Sequence, residues 1–200
     1  MAFGEPYYGC RFSGAKRQKV TRSDRFYYIS LLQTLQTLLK DEGIFLNPHQ
    51  RQDNLLGDYC DGKHFQTHPL FSCDPHALQI IAYYDELEVV NPLGSHVKVH
   101  KLGVLSFFLG NIRPQFRSSL KAYYVLAIAK HEDVVTYGID NLLTPVEELK
   151  SLYILEGVGI EVNKNRRTLY GALLDFLADY LAAHLVGGFK GSMSFALCIC

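Results

Sequence analysis

LQIIAYYDELEVVNPLGSHVKVHKLGVLSFFLG, residues Leu78–Gly110, is the stretch on which the fold turns. It opens with the apolar run Leu78–Tyr84, rich in β-branched and aromatic residues, which predicts a strand. Asp85 follows, and a second extended piece runs to Val90. Asn91-Pro92-Leu93-Gly94-Ser95 is dense in turn residues, because Pro fixes φ and Gly accepts φ > 0. The chain then returns as Lys101–Leu109. Both arms are too apolar to leave one face in water, so they predict central strands with helices packed over them. Open α/β sheets bind ligands at the carboxyl ends of their strands, which makes Asp85 the first candidate site residue.

Downstream, Arg113-Pro114 interrupts the pattern and Ala122–Ala129 reads as a third strand. Asp140 or Asn141 starts a helix reaching about Glu156, with Leu142, Leu143, Val146, Leu149, Leu152 and Tyr153 on one side. Thr144-Pro145 suits its first turn, and Gly157 or Gly159 ends it. Asn163–Arg167 reads as a polar, basic turn. Leu169–Ala178 is ambiguous by periodicity alone; its place after a helix favours a fourth strand, with Asp179 just past its end.

The resulting order, β-β-β-α-β, is the core of the RNase H-like α/β fold, where the first and fourth strands are neighbours in a mixed sheet. Asp85 and Asp179, 94 residues apart, would then converge. Two carboxylates brought together repel unless protonated or bridged by a cation, and oxygen-only ligands suit Mg²⁺ or Mn²⁺. Such a site activates water or a 3′-hydroxyl against a phosphodiester. The structural alternative is that both are capping or turn carboxylates.

Upstream, residues 1–75 read as a helix and loop-rich segment preceding a core over 76–200. Met1–Gly14 has no periodicity. Lys16–Arg22 is a basic run, read as a solvated lead-in to the next helix rather than a phosphate or nuclear-import contact. Ser23 or Asp24 can cap a helix over Phe26–Lys40, where Ile29, Leu32, Leu35, Leu38 and Leu39 recur at helical spacing and Gly43 supplies a stop. Its apolar face would pack on the main domain or on a partner. Asn47–Asp74 is turn-rich and carries Cys60, His64, His68 and Cys73, with His76 just beyond it. Their spacing, C-x3-H-x3-H-x4-C-x2-H, matches no standard zinc pattern, so the segment reads as a loop along the sheet edge.

Composition narrows the class. The 200-residue chain is 48% hydrophobic and 20% charged, ordinary for a globular protein. Twenty Lys+Arg balance twenty Asp+Glu, so no global charge points to nucleic acid or to a membrane. No run approaches the roughly 20 apolar residues of a membrane span. Five cysteines without regular spacing point to a reducing, intracellular compartment. His96 and His100 flank the turn and read as exposed. Gly187-Gly188 with Ser192 lacks the strand–loop–helix context of a phosphate loop. The apolar run Ser194–Cys200 stops without a cap or polar tail, which reads as a C-terminally incomplete domain.

YYDELEVVNPLGSHVKVHKLG at 83–103 and LADYLAAHLVGGFKGSMSFALCIC at 177–200 resemble stretches of uncharacterised proteins encoded by animal transposable elements. LLGDYCDGKHFQTHPLF at 55–71 and YYISLLQTLQTLL at 27–39 resemble their upstream parts, so the resemblance covers most of the chain from about Phe26. It implies a DDE/D transposase-like nuclease core, Mg²⁺- or Mn²⁺-dependent and nuclear if it acts on DNA. Asp85 and Asp179 would take the positions of the first two metal-binding acids.

The departures bear on activity. Tyr180 stands where that family has Asn after the acid. Cys198 and Cys200 would form part of a zinc site that the family completes with further cysteines, but a tetrahedral site needs four ligands. No Asp or Glu follows Asp179, so a third acid beyond the fourth strand is absent. Asp175 reads as core-adjacent or exposed, and alternation turns Glu86 and Glu88 away from Asp85. These departures favour a remnant that keeps the fold without full catalytic activity. Its ancestral role would be metal-dependent DNA cleavage or strand transfer. The alternative is a repurposed module that binds protein, nucleic acid or a second copy of itself.

Overall fold

The computed structural model describes residues 1–13, 16–39, 53, 55–89, 101–143, 158–162, 165–179 and 183. Strands β1 (Tyr7–Ser13) and β2 (Lys16–Arg22) are followed by the two-residue β3 (Tyr27–Tyr28) and helix α1 (Leu31–Leu38). A 3₁₀ turn at Tyr59–Asp61 and the short α2 (Lys63–Thr67) lead into β4 (Leu78–Glu88) and β5 (Lys101–Leu109). After α3 (Pro114–Arg117) come β6 (Tyr124–Lys130) and α4 (His131–Tyr137), then β7 (Val158–Val162), β8 (Asn165–Leu169) and β9 (Gly171–Ala178).

The fold is α/β, built on a mixed five-stranded sheet in the order β3-β6-β5-β4-β9. β4, β5 and β6 form an antiparallel meander, and β9 lies parallel to β4 on its other side. Pleat alternation divides β4 between two cores. Leu78, Ile80 and Tyr84 face a large cluster with Leu105, Phe107, Leu126, Val134 and the α1 residues Leu31 and Leu35. Ile81 faces a smaller cluster with Phe108, Ala172, Leu174, Phe65 and Phe71. Full burial of Leu105 and Phe107 contributes about 2 kcal/mol each.

Beyond the end of β5, Asn111 extends the pairing with a side chain. Its Oδ1 accepts from the Gln79 N–H at 2.8 Å and its Nδ2 donates to the Ala77 carbonyl at 3.0 Å. Gly110 N–H donates to the Gln79 carbonyl at 2.7 Å, and a Cβ there would lie 2.9 Å from that of Gln79. Only glycine lets the backbone approach so closely.

Several expectations need correction. The helix expected over Phe26–Lys40 starts at Leu31, with Ser30 rather than Ser23 or Asp24 as its cap; Ser30 Oγ accepts from the Gln33 N–H at 3.4 Å. Phe26 sits instead under Phe3, ring centroids 4.9 Å apart, and Tyr27–Tyr28 extend the sheet beside β6. The helix packs its apolar face into the chain's own core, not onto a partner. Met1–Gly14 contains β1, and the basic run is not a lead-in but β2, its antiparallel partner. The expected turn at Asn163–Arg167 is largely β8, paired with β7. Leu169 belongs to β8, so the fourth strand of the expected core begins at Gly171.

Of the expected helix from Asp140 to about Glu156, only residues 140–143 lie among those described, and they are helical. The turn at Asn91–Ser95, His96, His100, His184, Gly187-Gly188, Ser192 and the Cys198/Cys200 pair lie outside the described residues. Among the described residues no helix is long and apolar enough to cross a membrane.

Candidate metal centre

Tyr84 of β4 pairs with Ala178 of β9 in parallel register, so Asp85 and Asp179 are the next residues on two neighbouring strands. Neighbouring strands lie about 4.8 Å apart. Asp85 falls on the face of Ile81 and Tyr83, and Tyr83 Oη donates to Asp85 Oδ2 at 3.1 Å. Leu177 packs into the smaller core with Ile81, and alternation returns to that face at Asp179. Alternation therefore places the two acids on one face, Asp85 three residues before the end of β4 and Asp179 directly after β9.

Local structure holds the Asp85 carboxylate. Asp85 Oδ1 accepts the Glu86 N–H at 2.8 Å while Oδ2 takes the Tyr83 hydroxyl, which fixes its rotamer. Ser106 Oγ donates to the Tyr83 carbonyl at 3.4 Å from the neighbouring strand. The Asp179 backbone carbonyl accepts the Ala183 N–H at 2.7 Å. Asp85 is half-buried and Asp179 is exposed. Burial pushes the Tyr83 phenol above its ordinary range, reinforced by the bond to Asp85 and by the charges of Asp85 and Asp179. Tyr83 thus stays a neutral donor at physiological pH.

The remaining acids point elsewhere. Glu86 turns to the opposite face, where its Oε2 meets Lys101 Nζ at 3.1 Å and its Oε1 lies 3.1 Å from His131 Nδ1. Asp175 sits at a bulge in the β4–β9 register, opposite Ile81; its Oδ1 accepts the Phe176 N–H and its Oδ2 accepts the Tyr59 hydroxyl. Among the described residues no group of three His, Cys, Asp or Glu side chains is arranged to hold a metal ion. Two carboxylates on one face still suit a cation such as Mg²⁺, which keeps several waters and takes one or two protein carboxylates plus substrate phosphate oxygens.

Among the described residues, no three Cys or His side chains of this segment are grouped to hold a metal ion. His68 Nδ1 accepts from the Leu70 and Phe71 N–H groups at 3.2 and 3.4 Å, so that nitrogen serves the backbone. Cys60 is buried under the sheet, and Cys73 is exposed. Sequence reading passed over Tyr83 and Tyr59, the two hydroxyls that orient site-side carboxylates. The Tyr83–Asp85 spacing of two along a strand was a readable signal; the Tyr59–Asp175 contact, across 116 residues, was not. Compared with protein-family models, curated proteins and solved structures, the chain matches none.

Proposed function

We propose that the five-stranded sheet is an RNase H-like core of the transposase type, in which Asp85 and Asp179 hold a divalent cation. The observation that carries this reading is the register: the parallel pair Tyr84–Ala178 is followed at once by both acids on one face. The strand order β6-β5-β4-β9, with an antiparallel meander and a parallel fourth strand, supports it as well.

When bound, a Mg²⁺ or Mn²⁺ ion would polarise a phosphoryl oxygen and acidify a coordinated water. The chain's own part is to bring the two carboxylates to one face, with Tyr83 fixing Asp85 from the side. Among the described residues no third acid joins the pair, so the core is a remnant without full strand-transfer activity. That same observation favours the second reading, a non-catalytic module that keeps the fold for binding protein or nucleic acid.

Calorimetric titration of Mn²⁺ into the wild-type chain and into Asp85→Asn/Asp179→Asn tests the site. Saturable binding by the wild type alone is expected, and a nuclease assay on labelled DNA then separates the two readings. Equal binding by both, or none by a folded wild type, would sink the cation site.

A further inference from the structure

The β1–β2 ribbon concentrates positive charge in a chain that is neutral overall. Six of the chain's 20 Lys+Arg fall within Arg11–Arg25, against the single acid Asp24, although the whole chain is neutral. Asp24 is already engaged: it accepts the Tyr7 hydroxyl at 3.1 Å and the Tyr137 hydroxyl at 3.0 Å.

Register decides which cations are presented. Tyr7 pairs with Arg22 and Tyr8 with Thr21, so alternation gives the ribbon two different faces. Tyr7 turns to Asp24 and thereby to α4, while Arg22 lies over Gly9, where a Cβ would meet its Cδ at 2.6 Å. That face leans on the body of the protein. The other face bears Tyr8, Arg17, Lys19 and Thr21, all exposed, with Tyr8 at 73%. Lys19 Nζ sits 3.9 Å above the Tyr8 ring centroid. Among the described residues neither Arg17 nor Lys19 has a carboxylate partner.

We infer that this face of the ribbon is a docking surface for duplex DNA, on which Arg17 and Lys19 take successive backbone phosphates. Two residues apart on one strand, their side chains emerge about 7 Å from each other, so each reaches a different phosphate. A two-stranded ribbon fits the roughly 12 Å major groove of B-form DNA. The Tyr8 ring is committed to holding the Lys19 ammonium by a cation–π contact, which makes it a positioning group rather than a stacking platform for single-stranded bases. Binding carried by phosphates is independent of sequence and steep in salt.

The ribbon hangs from the α4 face of the sheet, whereas Asp85 and Asp179 lie on the opposite face, so this proposal stands without the cation reading. Fluorescence anisotropy of a labelled duplex of about 20 bp, with the full chain in EDTA, tests it across about 50–200 mM salt. Arg17→Gln/Lys19→Gln should weaken binding ~10-fold or more and reduce the log–log salt slope by about 2, while Asp85→Asn/Asp179→Asn binds as the wild type does. Absence of duplex binding by the folded wild type, or an unchanged affinity and slope in Arg17→Gln/Lys19→Gln, would overturn it. Tighter capture by anionic vesicles than by the duplex would overturn it too, in favour of a membrane surface.

Discussion

Arg117 grips Asp58 with both prongs of its guanidinium across 59 residues, Nη1 to Oδ1 at 2.6 Å and Nη2 to Oδ2 at 2.5 Å. The same side chain donates from Nε to the Ile112 carbonyl at 2.6 Å and from Nη2 to the Gly110 carbonyl. Asp58 in turn caps the 3₁₀ turn through the Tyr59 N–H at 2.8 Å. One ion pair thus clamps the segment before α2 to the exit of β5.

Removing the cation leaves a nearly buried carboxylate with no counter-charge, at a cost of about 3 kcal/mol. Arg117→Met is therefore expected to lower Tm by about 10 °C, as a chain of this size loses about 2–4 °C per kcal/mol. Asp58→Asn in the same background should recover part of the loss. Thermal unfolding followed by circular dichroism checks both; a Tm within a degree of wild type for Arg117→Met would remove the clamp from the account.

Gly103 faces the Tyr84 hydroxyl so closely that an added Cβ would lie 2.5 Å from its oxygen. Tyr84 is wholly buried and its hydroxyl has no hydrogen-bond partner among the described residues, so the ring has nowhere to go. Gly103→Ala should cost about 1–3 kcal/mol by overpacking. Tyr84→Phe removes the clashing atom together with an unsatisfied polar group, and should be close to neutral alone. A denaturation double-mutant cycle should show Tyr84→Phe rescuing Gly103→Ala; additive losses would contradict the contact.

Asp133 is buried, and among the described residues its Oδ2 has no hydrogen-bond partner. Burial, then the charges of Asp24 and Glu132, push its carboxyl above the ordinary 3.8, with Lys130 opposing. A raised acid stabilises the fold fully below its unfolded value and loses that contribution as pH rises through the folded one. Asp133→Asn has no such loss. The Tm difference between variant and wild type should widen in the variant's favour from pH 4 to pH 7. A constant or narrowing gap would contradict the assignment.

Tyr59 ionises late. Its hydrogen bond to Asp175, then burial and the charges of Asp175 and Asp58, push the phenol up to about 12 from 10.0. The stabilising effect of the neutral phenol is present below 10.0 and disappears as pH rises through about 12. Burial puts Tyr84 at about 12 as well. An alkaline titration of phenolate absorbance should therefore show a late component that shrinks in Tyr59→Phe and, separately, in Tyr84→Phe. In Asp175→Asn, Tyr59 should join the main wave near its ordinary value.

The central sheet was legible because its strands carry the signal themselves. Lys101–Leu109 is a run whose two faces are both covered, and its bounds could be read without a partner. Leu78–Tyr84 was equally clear, but β4 runs on to Glu88 because that polar end pairs with Lys101 across the hairpin. The β1–β2 ribbon was missed for the opposite reason: KRQKVTR has a single apolar residue, Val20, and pairing with YYGCRFS rather than its own pattern makes it a strand. Phe26–Ser30 looked helical by spacing, yet packing of Phe26 against Phe3 and pairing of Tyr27 with Ile128 override that local preference. The neighbouring placement of Asp85 and Asp179 followed from element order alone. The Tyr59–Asp175 contact did not, because Tyr59 reaches that acid only through the tertiary fold.

The parallel contact between β4 and β9 also sets a clock. The β4–β5–β6 meander joins elements that are near in sequence, so its closure entropy is small and it can form early. Leu78 finds Gly171 only across a span of more than ninety residues, a pairing that closes late and slowly. Until then one edge of β4 is an open template for other strands. By contact order, Asp179 is expected to come beside Asp85 late in folding, so that the candidate site forms close to the native state. Any ligand that bridges the two acids would draw its affinity from the same step that seals this edge against aggregation.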